Sequence, residues 1–278
     1  MNPYKVGLIG CGYWGFNLLR NLISNSRIEI CKVCDTNPGK IDRIIELIDY
    51  EKCCFDAELL FLDESLDIII ISTPANTHFE LVKRALEEGK NVFVEKPFVT
   101  SSQEALVLSQ LARSNGLMVM VDHTYLFTKE YQGVKNIIHS NKLGRLFHYH
   151  STRADFGIFP TDVNVFWHLF YHDAYILLDL FPGEKIHSIK AASSTHIVPG
   201  FEDVCIVFID FESGLSADFV VNMLWPKKER KIIIAGSDSI LLWDDCSEDK
   251  LRIYNKSAQY DILTDTVKYT DFGNTKIS

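Results

Sequence analysis

Three glycines, Gly10, Gly12 and Gly15, stand in the run GCGYWG near the start of the chain. Their G-x-G-x-x-G spacing lies between an apolar run at 4–9 and a segment whose Leu18, Leu19, Leu22 and Ile23 recur on one helical face. A strand–turn–helix of this kind suits a dinucleotide. The first glycine allows a tight turn, the second lets a pyrophosphate approach the backbone, and the third lets the helix pack on the sheet. The helix N-terminus adds amide donors. Asp35, twenty residues beyond Gly15, falls at a strand end and could accept hydrogen bonds from ribose hydroxyls. A carboxylate there repels a 2′-phosphate, so NAD(H) is expected over NADP(H). The structural alternative for Asp35 is a helix cap or turn residue ahead of Pro38.

Ligands of open α/β sheets lie outside the carboxyl ends of the strands. Two segments fall there: Ser72-Thr73-Pro74-Ala75-Asn76-Thr77-His78 and Glu95-Lys96-Pro97. A lysine at the end of a buried strand is seldom there for packing, although it could simply reach solvent. In the second half, His168 and His172 are four apart on an expected helix and share a face. Imidazoles titrate near neutrality and suit acid–base work. The pair could also ligate zinc, but no glutamate lies between them and no third ligand is evident, so no metal is expected. His148 and His150 alternate along a strand and read as sheet-face residues. His123, Arg153, Asn164 and Asp173 complete the candidate substrate contacts, Arg153 either as a holder of pyrophosphate or as a member of a surface ion pair. The seven cysteines are odd in number and expected to be reduced thiols. Cys31 and Cys34 lie three apart in a strand and should face opposite sides, as should Cys53 and Cys54.

These groups need elements to hold them. Strands are expected at 4–9, 28–34, 53–55, 67–72, 91–94 and 117–121, alternating with helices after the glycine turn and at 38–48, 77–88 and 101–115. That alternation predicts a doubly wound parallel sheet. A helix at 129–140 follows. Strands are then expected at 145–153, 186–194, 203–211, 215–224, 231–234, 240–243 and 251–254, with one helix at 164–180. The fold class is therefore α/β plus α+β: a Rossmann domain over 1–122, then a mostly antiparallel open sheet over 123–278. The chain has 278 residues and a formal charge of −9, which argues against nucleic-acid or anionic-membrane binding. Neither a targeting segment nor an apolar run long enough to span a bilayer is visible, and a cytoplasmic location is expected.

With the glycine fingerprint, Thr73-Pro74 with His78, Glu95-Lys96-Pro97 and the segment from Trp167 to Asp173, the chain resembles the Gfo/Idh/MocA oxidoreductases over nearly its whole length. The resemblance implies that Lys96 is the catalytic lysine, which polarises the reacting oxygen, and that His172 is the acid/base. It implies cofactor contacts from Gly10, Gly12, Tyr13, Trp14, Gly15, Asp35, Thr73, Pro74, His78, Glu95 and Lys96. Residues 153–173, with Tyr13-Trp14, look most like the branch acting on nucleotide-linked sugars in envelope polysaccharide biosynthesis. The resemblance also implies a homodimer or homotetramer through the open sheet face, with Phe208, Phe219 and Trp225 as contributors. Two departures stand out. Many members carry an aspartate where this chain has His168, and members usually continue past the last strands, whereas this chain stops at Ser278. Both keep a non-catalytic NAD(H)-binding sensor or accessory protein as the alternative.

Overall fold

The computed structural model describes residues 2–157 and 159–277, in two units, Met1–Asp122 and His123–Ser278. In the first, six strands form a parallel sheet: β1 (Tyr4–Ile9), β2 (Ile28–Cys34), β3 (Cys53–Cys54), β4 (Ile68–Ile71), β5 (Asn91–Val94) and β6 (Val119–Val121). Their order is β3-β2-β1-β4-β5-β6, so the winding reverses between β1 and β4. The central strands are nearly all aliphatic because both sheet faces are covered. One core gathers Leu8, Leu19, Ile41, Ile44 and Ile70; the other gathers Ile69, Ile71, Val82, Leu86 and Leu108.

The helices of this unit are α1 (Tyr13–Ile23), α2 (Pro38–Ile41), α3 (Glu58–Phe61), α4 (His78–Glu87) and α5 (Ser102–Ser114). The expected helix over 38–48 shortens to α2. Beyond it, tight turns bonded Ile44 N to Ile41 O and Leu47 N to Ile44 O keep Ile41, Ile44 and Ile48 buried, so the apolar stripe survives without a regular helix. α3 was not expected. α5 starts at Ser101, whose hydroxyl accepts from the Glu104 amide.

Register corrects one expectation. Val6 pairs with Ile30 but Gly7 pairs with Lys32, so Cys31 is an extra residue in β2. The bulge inverts the alternation, and Cys31 packs against the same core as Cys34 rather than the opposite one. Cys53 and Cys54 do face apart, one to each core.

The second unit opens with α6 (Lys129–His139) and contains α7 (Tyr171–Leu180). Its strands are β7 (Leu146–Ala154), β8 (Ile186–Ser194), β9 (Val204–Phe211), β10 (Ser216–Asn222), β11 (Glu229–Gly236), β12 (Ile240–Asp244), β13 (Leu251–Asp261) and β14 (Thr266–Ile277). They form one sheet in the order β14-β13-β12-β11-β7-β10-β9-β8, antiparallel except for β7 beside β10. One face packs on the helices through Tyr149, Phe219, Ile234 and Trp243. Phe219 is therefore core and not part of the open face, since its neighbour Asp218 pairs with Phe208 on the other side. His148 and His150 do lie on that other face, bonded to Ser216 and Asp218 of β10. Sequence reasoning ends the strands near Tyr254; the structure continues β13 to Asp261 and adds β14, whose residues are almost all exposed. Among the described residues no helix is long and apolar enough to cross a membrane.

Candidate functional site

The turn after β1 is built by contacts that only glycine permits at two of its three positions. Gly10 has φ +97°, and a Cβ there would stand 2.6 Å from the Ser72 carbonyl oxygen. A Cβ on Gly15 would stand 1.9 Å from the Gly10 oxygen. Gly12 differs: nothing of the chain lies within 4 Å of where its Cβ would be. Gly12 is also the N-cap of α1 and supplies no side-chain cap. The first-turn amides of α1 thus border an open cradle suited to an anion. Tyr13 and Trp14, edge to face at 5.1 Å, are both exposed beside it.

Asp35 follows β2 and is 6% exposed. Its Oδ2 accepts from the Cys11 amide at 2.8 Å and its Oδ1 from the Asn37 amide at 2.9 Å; Lys40 Nζ lies at 3.5 Å. The cap of α2 is Asn37, which accepts from Gly39, so Asp35 is a brace of the glycine turn instead. Each carboxylate oxygen retains a second lone pair for a hydroxyl donor.

Ser72, which sequence reasoning does not single out, donates to the Gly10 carbonyl at 2.7 Å and ties the end of β4 to the same turn. The Thr73 and Thr77 hydroxyls meet at 2.6 Å, and Thr77 donates to the Pro74 carbonyl. His78, expected among the cofactor contacts, is turned into the protein. It is 1% exposed, with Nδ1 2.8 Å from the Pro97 oxygen and Nε2 3.0 Å from the Thr73 oxygen. Both nitrogens face backbone carbonyls, so the ring braces the turn after β4 against the turn after β5. Lys96, half-buried, stands in that second turn. Its neighbour Glu95 is buried and accepts from the Lys96 amide at 3.2 Å. Burial, helped by the Asp122 carboxylate and opposed by Lys96, raises the Glu95 carboxyl to about 7.

In the second unit the expected helix at 164–180 is interrupted. Residues Phe166–Phe170 form a π-helical turn, and α7 starts only at Tyr171. His168 therefore belongs to the π turn and His172 to α7, so they do not keep the α-helical register that a shared zinc face assumes. Among the described residues no cluster could hold a metal. His172 Nδ1 lies 3.1 Å from the Tyr175 hydroxyl, which also accepts from the Tyr125 amide. His123 stacks on Tyr175 at 4.2 Å and meets the Tyr171 hydroxyl at 3.3 Å. Tyr125 and Tyr175 are thus organising residues that sequence reasoning misses.

Arg153 and Asp173 both lie in the interior of the second unit. Arg153 is 5% exposed and Asp173 is 1% exposed. The guanidinium donates to Asp173 through Nε at 3.2 Å and Nη2 at 2.8 Å, and to the Tyr125 hydroxyl through Nη1 at 2.9 Å. Burial works against the charge, but Asp173 and Tyr125 outweigh it and hold Arg153 charged above its usual range. These bonds make Arg153 half of a buried ion pair with Asp173. Asn164 is likewise occupied: Nδ2 donates to Glu202 at 2.7 Å and Oδ1 accepts from the Trp167 amide.

Two family models match the chain. Residues 4–123 match the GFO/IDH/MocA oxidoreductase family, NAD-binding Rossmann fold, and residues 131–241 match the GFO/IDH/MocA C-terminal domain. Among curated relatives, the scyllo-inositol 2-dehydrogenase (NAD(+)) of Bacillus subtilis is 24% identical, over 94% of this chain and 80% of its own length. The D-apiose dehydrogenase of Rhizobium rhizogenes is 26% identical, over 82% of this chain and 68% of its own. Four further relatives align over 149–158 residues, so the chain spans only 40–42% of their length. Among solved structures, the WlbA dehydrogenase of Bordetella pertussis in complex with NADH and UDP-GlcNAcA superposes with a TM-score of 0.81, at 19% identity, over 90% of this chain and 76% of that one.

Proposed function

The chain belongs to the Gfo/Idh/MocA oxidoreductase family, and from there we propose that it transfers a hydride between NAD(H) and a ring carbinol carbon of a sugar or cyclic polyol. One observation carries the proposal: the glycine turn, Asp35, Thr73 and Lys96 stand at the carboxyl ends of four adjacent parallel strands, β1, β2, β4 and β5. The residues fit the cofactor. The open cradle at Gly12 suits the pyrophosphate, with the first-turn amides of α1 as donors, and Asp35 suits the adenine ribose. Bound NAD supplies the hydride acceptor.

In this reading the Lys96 ammonium hydrogen-bonds the reacting oxygen and stabilises its developing negative charge. The His172 imidazole exchanges the hydroxyl proton, and its Nδ1 lies 3.1 Å from the Tyr175 hydroxyl. A carboxylate at Asp35 favours NAD(H) over NADP(H) by charge repulsion, tempered by Lys40 beside it. A nucleotide-linked sugar is the narrower substrate class suggested by residues 153–173 and Tyr13-Trp14. Tyr13 and Trp14, exposed beside the glycine turn, support that class.

The test is nicotinamide absorbance with purified protein and a panel of cyclic polyols, free aldoses and uridine-diphosphate sugars. Turnover with at least one class is expected, abolished by Lys96→Ala and reduced at least about a hundredfold by His172→Ala. Tight NADH binding without turnover anywhere in the panel favours the sensor alternative. Self-association through the outer sheet face, where Phe208 lies, belongs to the same proposal. Light scattering that gives a monomer mass at working concentration removes it.

A further inference from the structure

β2 and β3 pair in parallel with Cys34 opposite Cys54, twenty residues apart in sequence. Both side chains leave the sheet on the same face and join the same core. Neighbouring strands are about 4.8 Å apart, inside the Cα separation a disulfide requires. Both thiols are free. Cys34 is buried, whereas Cys54 is partly exposed. The pair also sits on the cofactor side of the fold: Asp35 directly follows Cys34, and its amide donates to the Cys54 carbonyl at 3.3 Å.

We propose that Cys34 and Cys54 form a dithiol site that a hydroperoxide converts to a disulfide, and that this disulfide weakens dinucleotide binding at Asp35. The second half rests on the NAD(H) reading above. The Cys54 thiolate attacks the hydroperoxide, breaks its O–O bond and takes a hydroxyl group, becoming a sulfenic acid while an alkoxide leaves and is protonated. The Cys34 sulfur then attacks the Cys54 sulfur. The S–S bond forms, and the hydroxyl group departs as water with the Cys34 proton. The two thiols lose two electrons in all, and the hydroperoxide becomes an alcohol and water.

The order of attack follows from the surroundings. The Cys34 thiol opposite it outweighs burial and lowers Cys54 to about 7, so it is substantially thiolate at neutral pH. Cys34 is raised by Cys54 and by burial, and is the resolving thiol. Cys11 is close to Asp35 but burial pushes it up to about 12, which leaves it unreactive. A new bond beside Asp35 shifts the backbone carrying the carboxylate, and that carboxylate holds the glycine turn through the Cys11 amide.

The experiment uses the full chain with Cys246→Ser, which removes the exposed competing thiol. Reduced protein is treated with hydrogen peroxide, remaining thiols are alkylated, and peptides are mapped by mass spectrometry alongside NADH titration. A Cys34–Cys54 cross-linked peptide is expected before other cysteines react, with NADH affinity lowered about tenfold and restored by dithiothreitol. Cys34→Ser should instead accumulate a dimedone-reactive sulfenic acid on Cys54. Oxidation at other cysteines without this cross-link overturns the proposal, as does a cross-linked protein of unchanged NADH affinity. Reduced protein that fails to bind NADH overturns the cofactor reading and the coupling with it, while the peptide map independently decides the dithiol site.

Discussion

The Asp35 carboxylate and the Cys11 amide meet at 2.8 Å, so the acid that ends β2 holds the turn that follows β1. One side chain thereby shapes the glycine turn and, in the proposed reading, faces the adenine ribose as well. Asp35→Ala leaves the buried Cys11 amide without its acceptor. The expected loss of stability is about 1–3 kcal/mol by denaturant unfolding. NADH affinity should fall at least about tenfold, and the preference over NADPH should narrow, both read by fluorescence titration. An unaltered ratio of the two affinities contradicts the repulsion argument.

The three glycines should separate by phenotype. Gly15→Ala places a methyl group 1.9 Å from a backbone oxygen that cannot swing away, so destabilisation of at least about 3 kcal/mol is expected. Gly12→Ala meets no atom of the chain. It should melt within a degree or two of the parent yet bind NADH markedly less well, because the methyl enters the space assigned to the pyrophosphate. Calorimetry and titration on the same samples distinguish a packing glycine from a ligand glycine.

The parallel half of the fold was legible because its signals are local: apolar runs, glycine stops and the fingerprint turn occur in the order that the physics of a βαβ unit requires. What register decides was not legible. The bulge at Cys31 and the pairing of Cys34 with Cys54 depend on which residues face each other across strands, and spacing along one strand carries no trace of that. β14 was missed for a related reason. Its sequence TVKYTDFGNTKI is mostly polar, and the strand is held by β13 through backbone bonds rather than by burial.

In the site, residue types were read better than their partners. Asp35 could be singled out from its distance to the glycines, but its hold on Cys11 could not. For Arg153 the sequence left a ligand role and a surface ion pair open, but neither the partner nor the burial could be read. Twenty residues separate it from Asp173, and only the packing of α7 against β7 makes them a pair. His78 was noticed for its position, but its second partner, the Pro97 carbonyl, comes from a turn nineteen residues on.

Glu95 gives a pH dependence whose sign is fixed. Its folded-state value is raised to about 7, from an ordinary value of 4.5, chiefly by burial. The folded protein therefore binds a proton there more tightly than the unfolded chain does. Stability from this group is fully present at low pH, declines as pH rises through that window and levels off above about 7. Glu95→Gln removes the ionisation, so the stability difference between parent and variant should shift in the variant's favour across the window by at most about 3 kcal/mol. Denaturant midpoints at a series of pH values read it, and a constant difference across the window contradicts the assignment.

Arg153 and Asp173 provide the sharpest test of a structural against a ligand role. Each is buried, and each satisfies the other. Removing one leaves a charge in the core without its counter-charge, at an expected cost of about 3–5 kcal/mol for Arg153→Met or Asp173→Asn. Replacing both with apolar residues of similar volume, Arg153→Met with Asp173→Leu, removes the desolvation penalty together with the attraction. The double variant should then recover a large part of the lost stability, a coupling that a double-mutant cycle measures directly. Had Arg153 been a substrate ligand, its single variant would raise KM with little change in unfolding midpoint. The structure predicts the reverse: a large stability loss, with KM of the surviving folded fraction little altered.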